Sequence, residues 1–184
     1  MDSDLLRAQD SCLLLVDVQE KLVPAVSAPE KLIANCAWLM ELASVLGVPL
    51  LVSEQYPGGL GPTVAQLRTL AREDAVMEKV HFSCAEAPSC RSRIAAVGRT
   101  QIVLAGIEAH VCVLQTALDL LRLGKQVFVV ADAVSSRSLL DAEVALGRMR
   151  AAGVAVVTRE MVLFEWAHRG ATAQFRALSA RFLK

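Results

Sequence analysis

Asp17, Lys79 and Cys112 carry the three side-chain types that together perform nucleophilic hydrolysis. A thiol attacks as its thiolate, a nearby ammonium favours that form, and a carboxylate can take and return the thiol proton. Each of the three closes or follows a short apolar run. Asp17 comes directly after Leu13-Leu14-Leu15-Val16, and Lys79 after a weaker segment near Val76. Cys112 lies in Gly106-Ile107-Glu108-Ala109-His110-Val111-Cys112-Val113, just past the apolar run Gln101–Ala105. A carboxylate behind four apolar residues is costly unless something there uses it. A cysteine between a strand and the start of a helix meets unpaired N–H groups and the positive end of the macrodipole, which favour the thiolate. Plainer roles stand beside these: a helix cap or ion-pair partner for Asp17, and a solvated lysine for Lys79. A phosphoacceptor role for Asp17 is weak, because Val18 and Gln19 follow it where a metal site wants a second acid.

The elements that must hold these residues can be read from hydrophobic pattern. Strands are predicted at Cys12–Val18, Val48–Ser53, Gln101–Ala105, Gln126–Ala131 and Ala155–Thr158, with a weak one at Ala75–Val80. Helices are predicted at Pro29–Leu46, Thr63–Leu70, Ala87–Val97, His110–Leu123, Leu139–Ala152 and Thr172–Phe182. Gly124 and Gly153 are placed to end helices, and Ser138 ahead of Asp141 to begin one. Continuous apolar strands such as Val127–Val130 belong to parallel sheets covered on both faces. The alternation predicts an α/β fold: a three-layer α/β/α, doubly wound, mainly parallel six-stranded sheet, formed by residues 1–184 as a single domain. Functional groups of such folds gather at the carboxyl edge of the sheet.

Composition excludes several classes of function. The 184 residues carry 19 Lys and Arg against 19 Asp and Glu, with no basic block, so no nucleic-acid partner is expected. Aromatic residues at 4% are too few for base-stacking platforms. No apolar run approaches a membrane span, and the N-terminal ten residues hold three aspartates, so neither a membrane association nor a signal peptide is expected. Five cysteines at irregular spacing form no CxxC pair and suggest reduced thiols in a cytoplasmic protein. Cys12, Cys36, Cys84 and Cys90 read as small buried residues. Three histidines, widely spaced, are too few for a zinc site, so no metal or cofactor is expected. Gly58-Gly59-Leu60-Gly61, bounded by Pro57 and Pro62, reads as a rigid loop near the site rather than a dinucleotide fingerprint.

Three stretches in this order resemble the isochorismatase-like cysteine hydrolases: Leu14–Gln19, Glu78-Lys79 before Phe82-Ser83, and Gly106–Val113. Ala131-Asp132-Ala133-Val134-Ser135-Ser136-Arg137 also fits, and Ser53–Pro57 with Gly59–Thr63 resembles the isochorismatase-domain-containing, non-metal branch. The resemblance implies a triad of Asp17, Lys79 and Cys112. It also implies a cis peptide at Ile107–Glu108 and an oxyanion hole formed by the N–H groups of Glu108 and Cys112. Metal-binding relatives have histidines after the second strand where this chain reads Ser53-Glu54-Gln55-Tyr56, which again implies no zinc. Ala109 stands where many relatives have threonine, which puts the usual substrates in doubt. Cys112 points to amide-like C–N chemistry on a small molecule. Tyr56 and Phe82, with Trp166, are the expected apolar walls of a pocket and Gln19 or Gln55 its polar contact, although core packing accounts for the aromatics equally. A homo-oligomer, dimer or tetramer, is expected. A catalytically inactive interaction module of the same fold and a redox-sensing thiol are the alternatives.

Overall fold

The computed structural model describes residues 5–183, so Met1–Asp4 of the acidic N-terminal stretch and Lys184 lie outside it. Six strands form one sheet: β1 (Ser11–Val16), β2 (Leu50–Gln55), β3 (Val76–Lys79), β4 (Gln101–Ile107), β5 (Gln126–Ser135) and β6 (Ala155–Val157). Their order is β3-β2-β1-β4-β5-β6, and every neighbouring pair is parallel. The helices are α1 (Pro29–Leu46), the short turns α2 (Pro57–Leu60) and α3 (Ala65–Arg68), then α4 (Pro88–Ala96), α5 (Leu114–Arg122), α6 (Leu139–Ala151), α7 (Arg159–Ala167) and α8 (Ala173–Phe182).

Alternation along each buried strand divides the core in two. Leu13, Leu15, Val103, Ala105, Phe128 and Val130 pack with Leu39 of α1, Trp166 of α7 and Leu178 of α8. Cys12, Leu14, Val16, Ile102, Leu104 and Val129 pack with Ile94 of α4, Leu120 of α5 and Met149 of α6. Helices on both faces explain why β1 and β4 are buried along their whole length. The sheet thus has the three-layer, doubly wound form that the pattern predicts. The chain winds outward from β1 to β2 and β3, then returns to continue from β4 on β1's other side, so the switch point lies between β1 and β4.

The differences from the sequence reading have local causes. The predicted helix Thr63–Leu70 is only the turn α3, because Thr63 donates from both N–H and hydroxyl to Glu54 Oε1 at 2.7 Å and Val64 N–H binds Val18 C=O at 3.0 Å. These bonds pin the segment to the ends of β1 and β2 before it can wind. β5 runs past Ala131 to Ser135, its pairing with β4 shifting register between Leu104 and Gly106. The predicted helix His110–Leu123 starts as a wide π-turn at Ala109–Val113 before α5. α7 is a helix that the hydrophobic pattern does not predict. Its signs are Thr158, whose hydroxyl accepts from Met161 N–H at 3.3 Å, and the buried Val162, Leu163 and Trp166.

Gly106 controls how closely β1 and β4 approach at the switch point. It pairs with Val16 at φ +117°, and a Cβ built there would stand 2.1 Å from Val16 C=O. No side chain fits, and the φ itself disfavours L-residues. Gly106→Ala is therefore expected to lower stability by about 3 kcal/mol or more, read as a reduced urea midpoint. An unchanged midpoint would show that β1 and β4 can separate without cost.

Candidate active site

Asp17 sits one residue beyond β1 in a left-handed conformation, φ 53°, which asparagine and aspartate tolerate better than most residues. Its N–H donates to Ser53 C=O at 3.0 Å, so the turn is held against β2. Lys79 ends the edge strand β3, paired in register with Gln55 of β2. From there its ammonium reaches across β2 and donates to Asp17 Oδ2 at 2.6 Å and Gln55 Oε1 at 2.7 Å. Neither side chain of the Asp17–Lys79 pair is exposed. Ser53 donates its hydroxyl to the other carboxylate oxygen, Oδ1, at 2.6 Å. Cys112 arrives from the opposite side of β1, in the π-turn after β4, and its thiol lies beside the Asp17 carboxylate. Three residues separated widely in sequence therefore meet around one carboxylate at the switch point.

The thiolate expected at Cys112 is not what this environment favours. Burial pushes its pKa well above the usual thiol range, and the adjacent Asp17 charge raises it further. Lys79 lowers it, as the sequence reading requires, but the ammonium is already paired with Asp17 and is outweighed. The resting site thus holds a neutral thiol beside a carboxylate that Lys79 and Ser53 brace. Lys79 itself is pulled down by burial but raised on balance, chiefly by the Asp17 charge, so it stays an ammonium.

The loop carrying Cys112 is tied to the end of β5. The peptide bond between Ile107 and Glu108 is cis. The buried Glu108 carboxylate accepts from Arg137 Nε at 3.1 Å and Nη2 at 3.1 Å, a two-pronged pair. His110 Nδ1 lies 3.0 Å from Ser136 Oγ, and Ser135 donates to Ser27 C=O at 2.6 Å. The Ala131–Arg137 stretch thus buttresses the cysteine loop, a role that sequence pattern alone does not assign. Ser53, Cys84 and Thr116 were likewise missed. All three are fully buried beside the triad, and small polar residues within apolar runs were their only sequence signal.

Several expected pocket residues have other duties. Gln19 is buried, with its amide donating to Gln55 C=O and Gly61 C=O and accepting from Gln55 N–H, so it clamps the loop and offers no contact to a ligand. The side chain of Gln55 accepts from Lys79 and donates to Val80 C=O. Trp166 lies in the core with Nε1 donating to Ser11 Oγ at 3.0 Å. Tyr56 does line a pocket of about 430 Å³, with Pro57, Lys79, Val80, His81 and Ser89. Phe82, 53% exposed, and the nearly buried Cys112 are not among that pocket's walls. Among the described residues, no group of three or more His, Cys, Asp or Glu is placed to hold a metal ion.

Two stability outcomes follow. Lys79→Met leaves the Asp17 charge buried without its partner and is expected to cost about 3–5 kcal/mol, part of it recovered by adding Asp17→Asn. Additive losses in a denaturation cycle would contradict the pairing. Burial also pushes the thiols of Cys12 and Cys84 up to about 12, while the unfolded chain's thiols ionise near ~8.5. The native state then keeps protons that the unfolded state has lost, so the stability present below that lower value is lost as pH rises towards the upper one. Urea midpoints measured between about pH 8 and pH 10 should fall, and a rise would reverse the assignment.

Residues 11–161 match the Isochorismatase domain. Isochorismatase domain-containing protein 2A of Mus musculus is 39% identical over 173 residues, covering 92% of this chain and 81% of the relative. Isochorismatase domain-containing protein 2 of Danio rerio is 41% identical over 161 residues, covering 87% of this chain and 80% of the relative. Among solved structures, the MAR1 ribonuclease of Caenorhabditis elegans superposes with a TM-score of 0.90 at 34% identity, covering 98% of this chain and 93% of that one. The YcaC gene product of Escherichia coli, described as an octameric hydrolase of unknown specificity, gives 0.91 at 25% identity, covering 100% and 93%. With the domain match spanning most of the chain and both vertebrate relatives near 40% identity, this protein belongs to the isochorismatase family of hydrolases.

Proposed function

We propose that the chain is a cysteine-dependent hydrolase of a small, neutral, amide-like substrate, cleaving a C–N bond through a thioacyl intermediate on Cys112. The observation that carries this reading is the single buried carboxylate of Asp17, beside the Cys112 thiol and held by Lys79 at 2.6 Å. As Cys112 Sγ attacks the carbonyl carbon, its proton passes to Asp17. The negative charge moves to the substrate oxygen, and Lys79, relieved of its anionic partner, stabilises the charge developing nearby. The N–H groups of Glu108 and Cys112 are the proposed oxyanion donors, in a buried site where such donors are most effective. Asp17 then protonates the departing amine, leaving a thioester. Water, giving its proton to the same carboxylate, attacks the thioester, and the acid leaves as Cys112 recovers its proton.

A neutral substrate is favoured because the cations nearest the site are engaged: Lys79 with Asp17 and Arg137 with Glu108. The same pairing speaks against carrying over the ribonuclease activity named for the C. elegans relative, since a polyanion needs unpaired cations to hold its phosphates. Self-association belongs to this reading as well. Leu139, Leu140 and Val144 are exposed on α6, and the E. coli relative is described as octameric. No helix among the described residues is long and apolar enough to cross a membrane.

The test is turnover of a panel of small primary amides, with intact-mass detection of an acyl adduct. Wild type is expected to release ammonia and to carry the adduct on Cys112. Cys112→Ala is expected to lose at least about 10³-fold in rate, by analogy with other nucleophile deletions. Turnover that survives Cys112→Ala would sink the mechanism. No turnover across the panel, with Cys112 no more reactive than Cys90, would favour the inactive interaction module.

A further inference from the structure

Ser53 is a buried hydroxyl that the reaction scheme does not use. It belongs to β2, in register with Val16 at the end of β1. It holds Asp17 twice, its C=O accepting from Asp17 N–H at 3.0 Å and its hydroxyl donating to Oδ1 at 2.6 Å. A serine hydroxyl has one proton. Having given it to Asp17, Ser53 keeps only acceptor capacity, and the fully buried Cys84 lies beside it. Cys84 is anchored in turn, its N–H donating to Thr116 Oγ1 at 2.9 Å. Thr116 lies in α5, just after the π-turn that bears Cys112, so the same segment of chain carries the thiol and anchors Cys84. Ser53, Cys84 and Thr116 thus lie together behind the carboxylate oxygen that Lys79 leaves free.

We propose that Ser53 is a positioning residue for the proton-accepting carboxylate: it fixes Oδ1 from the β2 side while Lys79 fixes Oδ2, so the carboxylate plane stays aimed at Cys112. The proposal rests on the reading of Cys112 and Asp17 given above. Without the hydroxyl, the charge on Oδ1 loses a charge-assisted donor, and a thiolate beside it becomes less favourable. The titratable groups facing Cys112 are Asp17 from β1, Lys79 from β3 and Cys84 from the segment before α4.

The experiment is the pH profile of iodoacetamide labelling at Cys112, resolved from the other cysteines by mass spectrometry. The variants are Ser53→Ala, Ser53→Thr, Asp17→Asn and the double Asp17→Asn/Ser53→Ala. Ser53→Ala is expected to move the labelling midpoint upward by about one pH unit and to slow labelling at fixed pH about tenfold. Ser53→Thr, which keeps a hydroxyl, should restore most of the wild-type profile. In the Asp17→Asn background the Ser53→Ala effect should vanish, because the hydroxyl acts through the carboxylate. A shift of equal size in that background would overturn the proposal, as would a Ser53→Ala profile identical to wild type while Asp17→Asn alone moves it. If Asp17→Asn leaves the profile unmoved, the carboxylate is not the base, and the catalytic reading falls together with this one. Should the threonine variant fail to fold, the cycle of the alanine and asparagine variants still decides.

Discussion

Two opposite charges, Asp17 and Lys79, lie at the carboxyl edge of the sheet with neither side chain exposed, and much of the surrounding structure exists to make that tolerable. A buried ion pair recovers its desolvation cost only when its remaining hydrogen-bonding positions are also filled. Here Ser53 donates to the carboxylate oxygen that Lys79 does not hold, and Gln55 supplies an acceptor to the ammonium. Gln55 is held by Gln19, and Gln19 also ties down Gly61, so the loop after β2 is drawn into the same network. The tight β1–β4 approach at Gly106 brings the cysteine loop up to the other side of Asp17.

This pairing changes how the thiol works. A lysine beside a cysteine ordinarily favours the thiolate, yet here the ammonium answers the carboxylate first, and burial with the Asp17 charge keeps Cys112 protonated. The ground state is therefore the neutral thiol, and in the proposed reaction the proton moves only as a bond to carbon forms. The site's net charge is unchanged by that transfer, because the negative charge passes from carboxylate to sulfur and then to the substrate oxygen. A dry site with a fixed ammonium suits such a shift, since no solvent has to reorganise around it.

The cysteine loop is fixed independently of the triad. Arg137 grips the buried Glu108 with two donors, and His110 meets Ser136, so the end of β5 holds the turn from which Cys112 projects. The register shift in the β4–β5 pairing is what lets β5 extend far enough to do this. These contacts consume the nearby guanidinium, leaving a site whose charges balance within it.

Hydrophobic pattern determined most of the strands and helices and a mainly parallel, doubly wound sheet, because burial on both faces leaves continuous apolar runs that few other arrangements accept. It also marked Asp17 and Cys112, since an acid or a thiol at the end of such a run is conspicuous. Lys79 was marked only weakly, by its place near the end of a strand four residues long on the sheet's edge, and the family resemblance added to that. The parts that pattern could not show are those set by contacts between distant segments. Gln19, Gln55 and Trp166 look like ligand-binding residues in a sequence, but only tertiary structure reveals that their polar atoms are already engaged. Ser53, Cys84 and Thr116 look like ordinary small residues, and their convergence on Asp17 depends on strand order and register. The protonation of Cys112 was decided there too, because desolvation and the sharing of one ammonium between two anions are properties of the folded site.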